Sequence, residues 1–136
     1  MTLARMPASV LPAATLLAAC AGNPFDTVTN IRSMCDVPFE EGKIVQVSGV
    51  FGGDRYHYSF FYDEACPGKV WQSDYGEPFT SKYEDELELG NAIVIGPAYR
   101  HFRIEVEGRL YVNYEGKPGI EFLKLGRIVE RLKEPT

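Results

Sequence analysis

Three kinds of residue in this 136-residue chain have chemistry beyond packing: two histidines, three cysteines, and a high proportion of aromatic rings. Nucleophilic catalysis needs a Ser or Cys beside a His, with a carboxylate to orient the base. His57 and Ser59 lie two residues apart and would project from one face of a strand, but no orienting acid is evident and Gly-x-Ser-x-Gly is absent. His101 has no partner at metal-ligand spacing, and Gly52-Gly53 reads as a turn rather than a phosphate loop. The run Glu84-Asp85-Glu86 suits the positive end of a helix dipole better than a metal. The sequence therefore points away from an enzyme, and no cofactor or metal is expected.

The aromatic residues are a stronger signal. Eight Tyr, eight Phe and one Trp exceed what so small a core needs. Aromatic faces bind sugars, peptides and partner proteins through large buried area and directional stacking. The candidates for such a face are His57, Phe61, Trp71, Tyr75 and Tyr111.

The elements that must position them begin with a hairpin over Lys43–Cys66, with strands over Ile44–Phe51 and Tyr56–Tyr62 joined at Gly52-Gly53-Asp54. Gly49 falls in line with Val45, Val47 and Phe51, where a strand coiling round a barrel would bend. The second strand is aromatic on both faces, so register decides which face is core. A two-residue turn pairs Val45 and Val47 with the Tyr58/Phe60 face; a three-residue turn aligns them with Phe61. The shorter turn is preferred, and it sends His57, Phe61 and either Trp71 or Tyr75 outward. Val70–Tyr75 reads as a third strand. Ser81 with Glu84 forms a capping box for a helix over Lys82–Leu89, stopped by Gly90. Ile93–Ile95 is a short connector.

From Phe102 the alternation is clean, with Phe102, Ile104, Val106, Leu110, Val112 and Tyr114 on one face and Tyr111 outward among charges. The last strand, Ile120–Ile128, slips parity between Phe122 and Leu123, the mark of a bulge.

Residues 1–19 hold no acid, one Arg, and an apolar run ending in small residues, which is the pattern of a secretory signal. Leu17-Ala18-Ala19-Cys20 resembles the lipobox of bacterial lipoproteins, and the resemblance implies that Cys20 is lipidated and becomes the mature N-terminus. With Ala21 rather than Asp next, it also implies an outer-membrane anchor facing the periplasm, held by two or three acyl chains. Residues 20–30 then form the lipidated Cys and tether, with Asp26 or Thr27 capping one or two helical turns through 30–34.

With Cys20 assigned to the anchor, Cys35 and Cys66 remain as a pair in an oxidising compartment, and a disulfide is expected. Loss of residues 1–19 removes one of 14 basic residues and none of 19 acidic ones, leaving a formal charge of −6. Nucleic acid, which is held largely through phosphate neutralisation by Lys and Arg, is excluded as a partner on that balance.

Five strands, a bent first strand and a helix between strands three and four follow the order of the OB-fold, a small Greek-key barrel. The expected class is all-β with one short helix: a five-stranded OB-like Greek-key barrel over residues 31–136, with the N-terminal signal segment outside the fold. The V-x-V-x-G of strand one, Asp63-Glu64-Ala65-Cys66-Pro67, and the late Glu107-Gly108-Arg109-Leu110-Tyr111-Val112 strand resemble small secreted bacterial proteins with OB-like barrels. The expected function is that of an envelope lipoprotein acting as a non-catalytic binding module for a protein or glycan, tied to the membrane by its lipid. An inhibitor or accessory subunit of an envelope enzyme would instead carry a protruding rigid loop. A hydrolase would need a pocket with a carboxylate beside His57.

Overall fold

The computed structural model describes residues 25–53, 59–89 and 100–132. Residues 1–19, expected to form a signal segment, and Cys20, His57, the Ile93–Ile95 connector and Gly90 lie outside them. The elements are β1 (Arg32–Ser33), a 3-10 turn (Met34–Asp36), β2 (Ile44–Gly53), β3 (Ser59–Tyr62), β4 (Val70–Tyr75), α1 (Glu77–Leu87), β5 (Arg100–Val112) and β6 (Pro118–Arg131). Strand order runs β2-β3-β4-β6-β5, and β5 pairs back onto β2, closing a five-stranded barrel. The β4–β6 contact is parallel and the other four are antiparallel. This is the OB-like order, with β1 added in parallel to β2.

Alternation accounts for the core. Val45, Val47 and Phe51 of β2, Phe102, Ile104, Val106 and Leu110 of β5, and Ile120, Phe122 and Leu125 of β6 are all buried. Gly49 lies among them because Phe61 occupies its space: a Cβ there would meet the Phe61 ring at 2.7–2.8 Å. The expected slip after Phe122 is present, since Gly108 pairs with Phe122 and Glu107 with Lys124, leaving Leu123 as the extra residue. Val112 and Tyr114 depart from the expected inward face. They lie at the barrel rim, Val112 39% and Tyr114 96% exposed.

The preferred register is corrected. Phe51 pairs with Phe61 and Gly53 with Ser59, so Phe61 shares the inward face of Val45 and Val47 and Phe60 takes the outward one. A shift of one residue exchanges the two faces of a strand. Phe61 and its β4 partner Trp71 are therefore core residues, 0% and 1% exposed, with their rings stacked 6.3 Å apart.

The helix is also corrected. It begins at Glu77, capped by the backbone of Gly76 with a Pro in its first turn, and Ser81 lies inside it. The earlier start places Phe79, Tyr83 and Leu87 in one buried stripe that plugs the barrel end, Phe79 lying 5.7 Å from Phe122. Glu88, in the left-handed region at φ 56°, ends it.

Among the described residues, 25–34 form no α-helical turns. Asn30 has φ 58°, Arg32–Ser33 extend along β2, and Ser33 Oγ accepts from Cys35 N to start the 3-10 turn. Asp26 caps no helix. Its N–H donates to Leu125 O, and its carboxylate accepts from Tyr83 Oη and from Lys82 Nζ at 2.7 Å. The Cys35–Cys66 disulfide is formed, with Cα atoms 5.7 Å apart.

Candidate functional site

Outward residues of β3 and β4 and the β5–β6 turn enclose a groove of about 510 Å³, lined by Phe60, Val70, Gln72, Asp74, Asn113 and Tyr114 among others. Phe60 is 40%, Val70 46% and Tyr114 96% exposed. The turn that carries Tyr114 is locked by its own backbone and one amide. Asn113 N donates to Lys117 O, Gly116 N donates to Asn113 O, and Asn113 Oδ1 accepts from the N–H groups of both Glu115 and Lys117. The Asn113 side chain also reaches β4, donating to Gln72 Oε1 at 2.8 Å. A fully exposed ring therefore stands on a rigid turn.

Asp74 also lines a second cleft, of about 270 Å³, together with Tyr75, Gly76, Arg109, Tyr111 and Glu121. Its geometry follows from the register. Gly119 of β6 pairs with Gln72 on β4 and with Tyr111 on β5. Having no side chain, Gly119 leaves space on the sheet surface that the Tyr111 ring fills. A Cβ at Gly119 would lie 2.4 Å from Tyr111 Cζ and 2.7 Å from Cε1. The hydroxyl continues across β6 and donates to Asp74 Oδ2 at 2.5 Å. Strands two positions apart are separated by about 10 Å, so a ring that starts on β5 and bonds to β4 must lie along the sheet.

Burial pushes the Tyr111 phenol well above its ordinary range, and the bond to Asp74 and the charges of Asp74 and Glu121 push the same way. The ring thus stays neutral and its oxygen is a poor nucleophile. Asp74 and Glu121 are cross-strand neighbours, a like-charge pairing that alone would destabilise. Each has a partner: Tyr111 donates to Asp74, and Arg109 lies 3.2 Å from Glu121.

No protein-family model matches the chain, and comparison with curated proteins and with solved structures finds no match. Function must be read from the geometry.

Of the residues singled out in the sequence, Tyr111 and Tyr75 meet at this surface. Tyr111 lies outward as expected. Tyr75 is half-buried, packed edge-on to Phe51 at 6.1 Å and against Phe79 at 5.9 Å, and lines the second cleft. Phe61 and Trp71 do not contribute, for the register reason above. His57 and Cys20 lie outside the described residues. His101 pairs with Tyr62, Oη to Nδ1 at 2.9 Å, on the outer face of β2, β3 and β5. Among the described residues no group of three or more His, Cys, Asp or Glu could hold a metal ion. Sequence reasoning missed Phe60, Val70, Gln72, Asp74 and Tyr114. The parity of Phe60 opposite Phe61 would have indicated the first of these under the other register.

Proposed function

We propose that this chain is a non-catalytic binding module of the cell envelope, anchored to the outer membrane through lipidated Cys20 and holding a protein or glycan partner on the outer face of β3 and β4. The observation that carries the reading is the groove beside the locked 113–117 turn, where exposed apolar residues alternate with amides and carboxylates. Exposed patches of this kind on a small domain mark contact surfaces. A turn rigid before binding keeps the ordering cost of association low. The Cys35–Cys66 bond suits an oxidising compartment.

The same turn favours a second reading, an inhibitor or accessory subunit of an envelope enzyme. Tyr114 and Glu115 on a fixed hairpin tip form the kind of protruding loop that enters an enzyme cleft.

The test uses the soluble domain from Ala21 onward, with its disulfide intact and a benzophenone amino acid at position 114 or, as control, at exposed position 127 on β6. Irradiation in envelope extract is expected to yield a discrete adduct from position 114 that position 127 does not give. Identical adducts from both positions, or none from either, would overturn the reading. An adduct to one enzyme whose activity falls in the complex would select the inhibitor reading.

A further inference from the structure

We infer that the Tyr111 cleft is a saccharide subsite, taking an uncharged sugar ring stacked on Tyr111. The inference deepens the binding-module reading and rests on it.

The first argument is preorganisation. Tyr111 is held at three points: its own strand, the vacancy over Gly119, and Asp74 Oδ2. Most exposed tyrosines lose rotamer freedom when a ligand orders them, whereas this ring is fixed beforehand. A ring laid along a sheet presents one face outward. That geometry suits the C–H face of a pyranose, which is flat and weakly apolar, through the directional stacking that aromatic faces provide.

The second argument is the polar rim. Sugar hydroxyls are each donor and acceptor, so a sugar site needs both kinds of group around a flat surface. Gln72, which lines the groove, uses Oε1 to accept from Asn113, and its NH2 has no partner among the described residues. Among the described residues Asp74 accepts only through Oδ2, so Oδ1 remains an acceptor. Glu121 and Arg109 supply an acceptor and donors on the other side of the ring. The two clefts share Asp74, so the Tyr111 cleft and the groove that reaches Tyr114 adjoin at that residue.

The third argument is charge. Asp74, Glu115 and Glu121 outnumber Arg109 and Lys117 around the two clefts. The excess disfavours phosphorylated or uronic sugars and leaves neutral ones.

The experiment titrates chitohexaose, cellohexaose, maltohexaose and an anionic heparin hexasaccharide into the 15N-labelled domain and follows amide shifts by NMR. At least one neutral hexaose is expected to shift amides of Tyr111, Gly119 and Asp74, and the heparin fragment none. Tyr111→Ala should weaken that hexaose about tenfold, the equivalent of one aromatic contact. Gly119→Ala should do the same while retaining the tyrosine, because its Cβ displaces the ring. Should Gly119→Ala unfold, Tyr111→Phe, which keeps the ring but loses the Asp74 bond, should weaken binding by less than Tyr111→Ala. No neutral hexaose shifting these amides, or unchanged affinity in Tyr111→Ala, overturns the inference. A protein adduct from position 114 alongside silent saccharide titrations overturns it too while sustaining the binding-module reading. Silence in both experiments removes both.

Discussion

Replacing Cys35 and Cys66 by Ser removes a link spanning 31 positions. In the chain-entropy treatment, a closed loop of that length restricts the unfolded chain by an amount worth about 3.7 kcal/mol at 25 °C. The native side should change little, because what the link joins is already held. Met34 and Val37 are buried in the core, Ser33 Oγ accepts from Cys35 N, and Lys69 Nζ reaches Val37 O across the same end of the barrel at 2.5 Å. The double variant should therefore keep the near-UV circular dichroism of the Trp71–Phe61 stack while its Tm falls by roughly 15 °C, at about 4 °C per kcal/mol for a domain near this size. Such a loss is a large fraction of the ~5–15 kcal/mol that holds a small domain together. Urea titration of oxidised wild type, reduced wild type and the double variant measures it. A difference below about 1 kcal/mol, with the native spectrum retained, would refute the unfolded-state argument. A lost spectrum would instead show that the link organises native packing.

Three further outcomes follow from the packing and pairing of particular residues. Phe61→Ala should cost about 3–5 kcal/mol as a core truncation, against a change within about 0.5 kcal/mol for Tyr114→Ala on the surface; equal costs in chemical denaturation would return Phe61 to the outside. For Asp26, burial raises the carboxyl pKa, but hydrogen bonds from Lys82 and Tyr83 and the charges of Lys82 and Lys124 outweigh it and leave the folded value lowered. Its contribution to stability is then present above the unfolded value of about 3.9 and lost as pH falls through the folded one; Asp26→Asn should flatten the acid limb of Tm against pH, and an unchanged limb would show that the group is uncoupled from folding. Burial foremost raises the phenol pKa of Tyr62, Tyr83 and Tyr111, with Asp26 adding to it at Tyr83 and Asp74 at Tyr111. The associated stability is full below the unfolded value near 10 and is lost as pH rises through the folded ones, so three tyrosines should ionise late in an absorbance titration and Tyr111→Phe should remove one; a single transition near 10 would contradict this.

The barrel was legible because its strands obey period two wherever one face meets the core: Phe102 to Leu110 on β5, and Ile120 and Phe122 before the slip at Leu123. The hairpin register was not legible from alternation, because the second strand is aromatic on both faces and either one satisfies a hydrophobic inside. Volume is the missing information. Phe61 pairs with Phe51, and its ring reaches diagonally over Gly49, two residues along β2, where a side chain would meet it. Both halves of this contact are in the sequence, but a Gly inside a strand equally signals a bend, and nothing local ties it to Phe61. The helix start was lost in a similar way. Ser81 with Glu84 satisfies a capping box locally, yet starting there would leave Phe79 outside the stripe it forms with Tyr83 and Leu87.

The proposed outer site rests on a related contact. A glycine beside an aromatic residue on a neighbouring strand leaves room for the ring to cover it, on whichever face the two lie. On the inner face the Phe61 ring covers Gly49 diagonally and makes core. On the outer face the pair is Gly119 with Tyr111, and the β5–β6 turn at residues 113–117 fixes the register that puts them opposite each other. Core packing explains the first pair fully, since nothing remains exposed. It does not explain the second, because covering a glycine requires neither a hydroxyl directed to a carboxylate two strands away nor a second carboxylate placed beside the first. Asp74 and Glu121 repel as cross-strand neighbours and need Tyr111 and Arg109 to offset that repulsion. Asp74 fixes the ring and Glu121 holds Arg109 beside it, which is the arrangement of oriented ring, acceptors and donors that the proposed saccharide subsite requires.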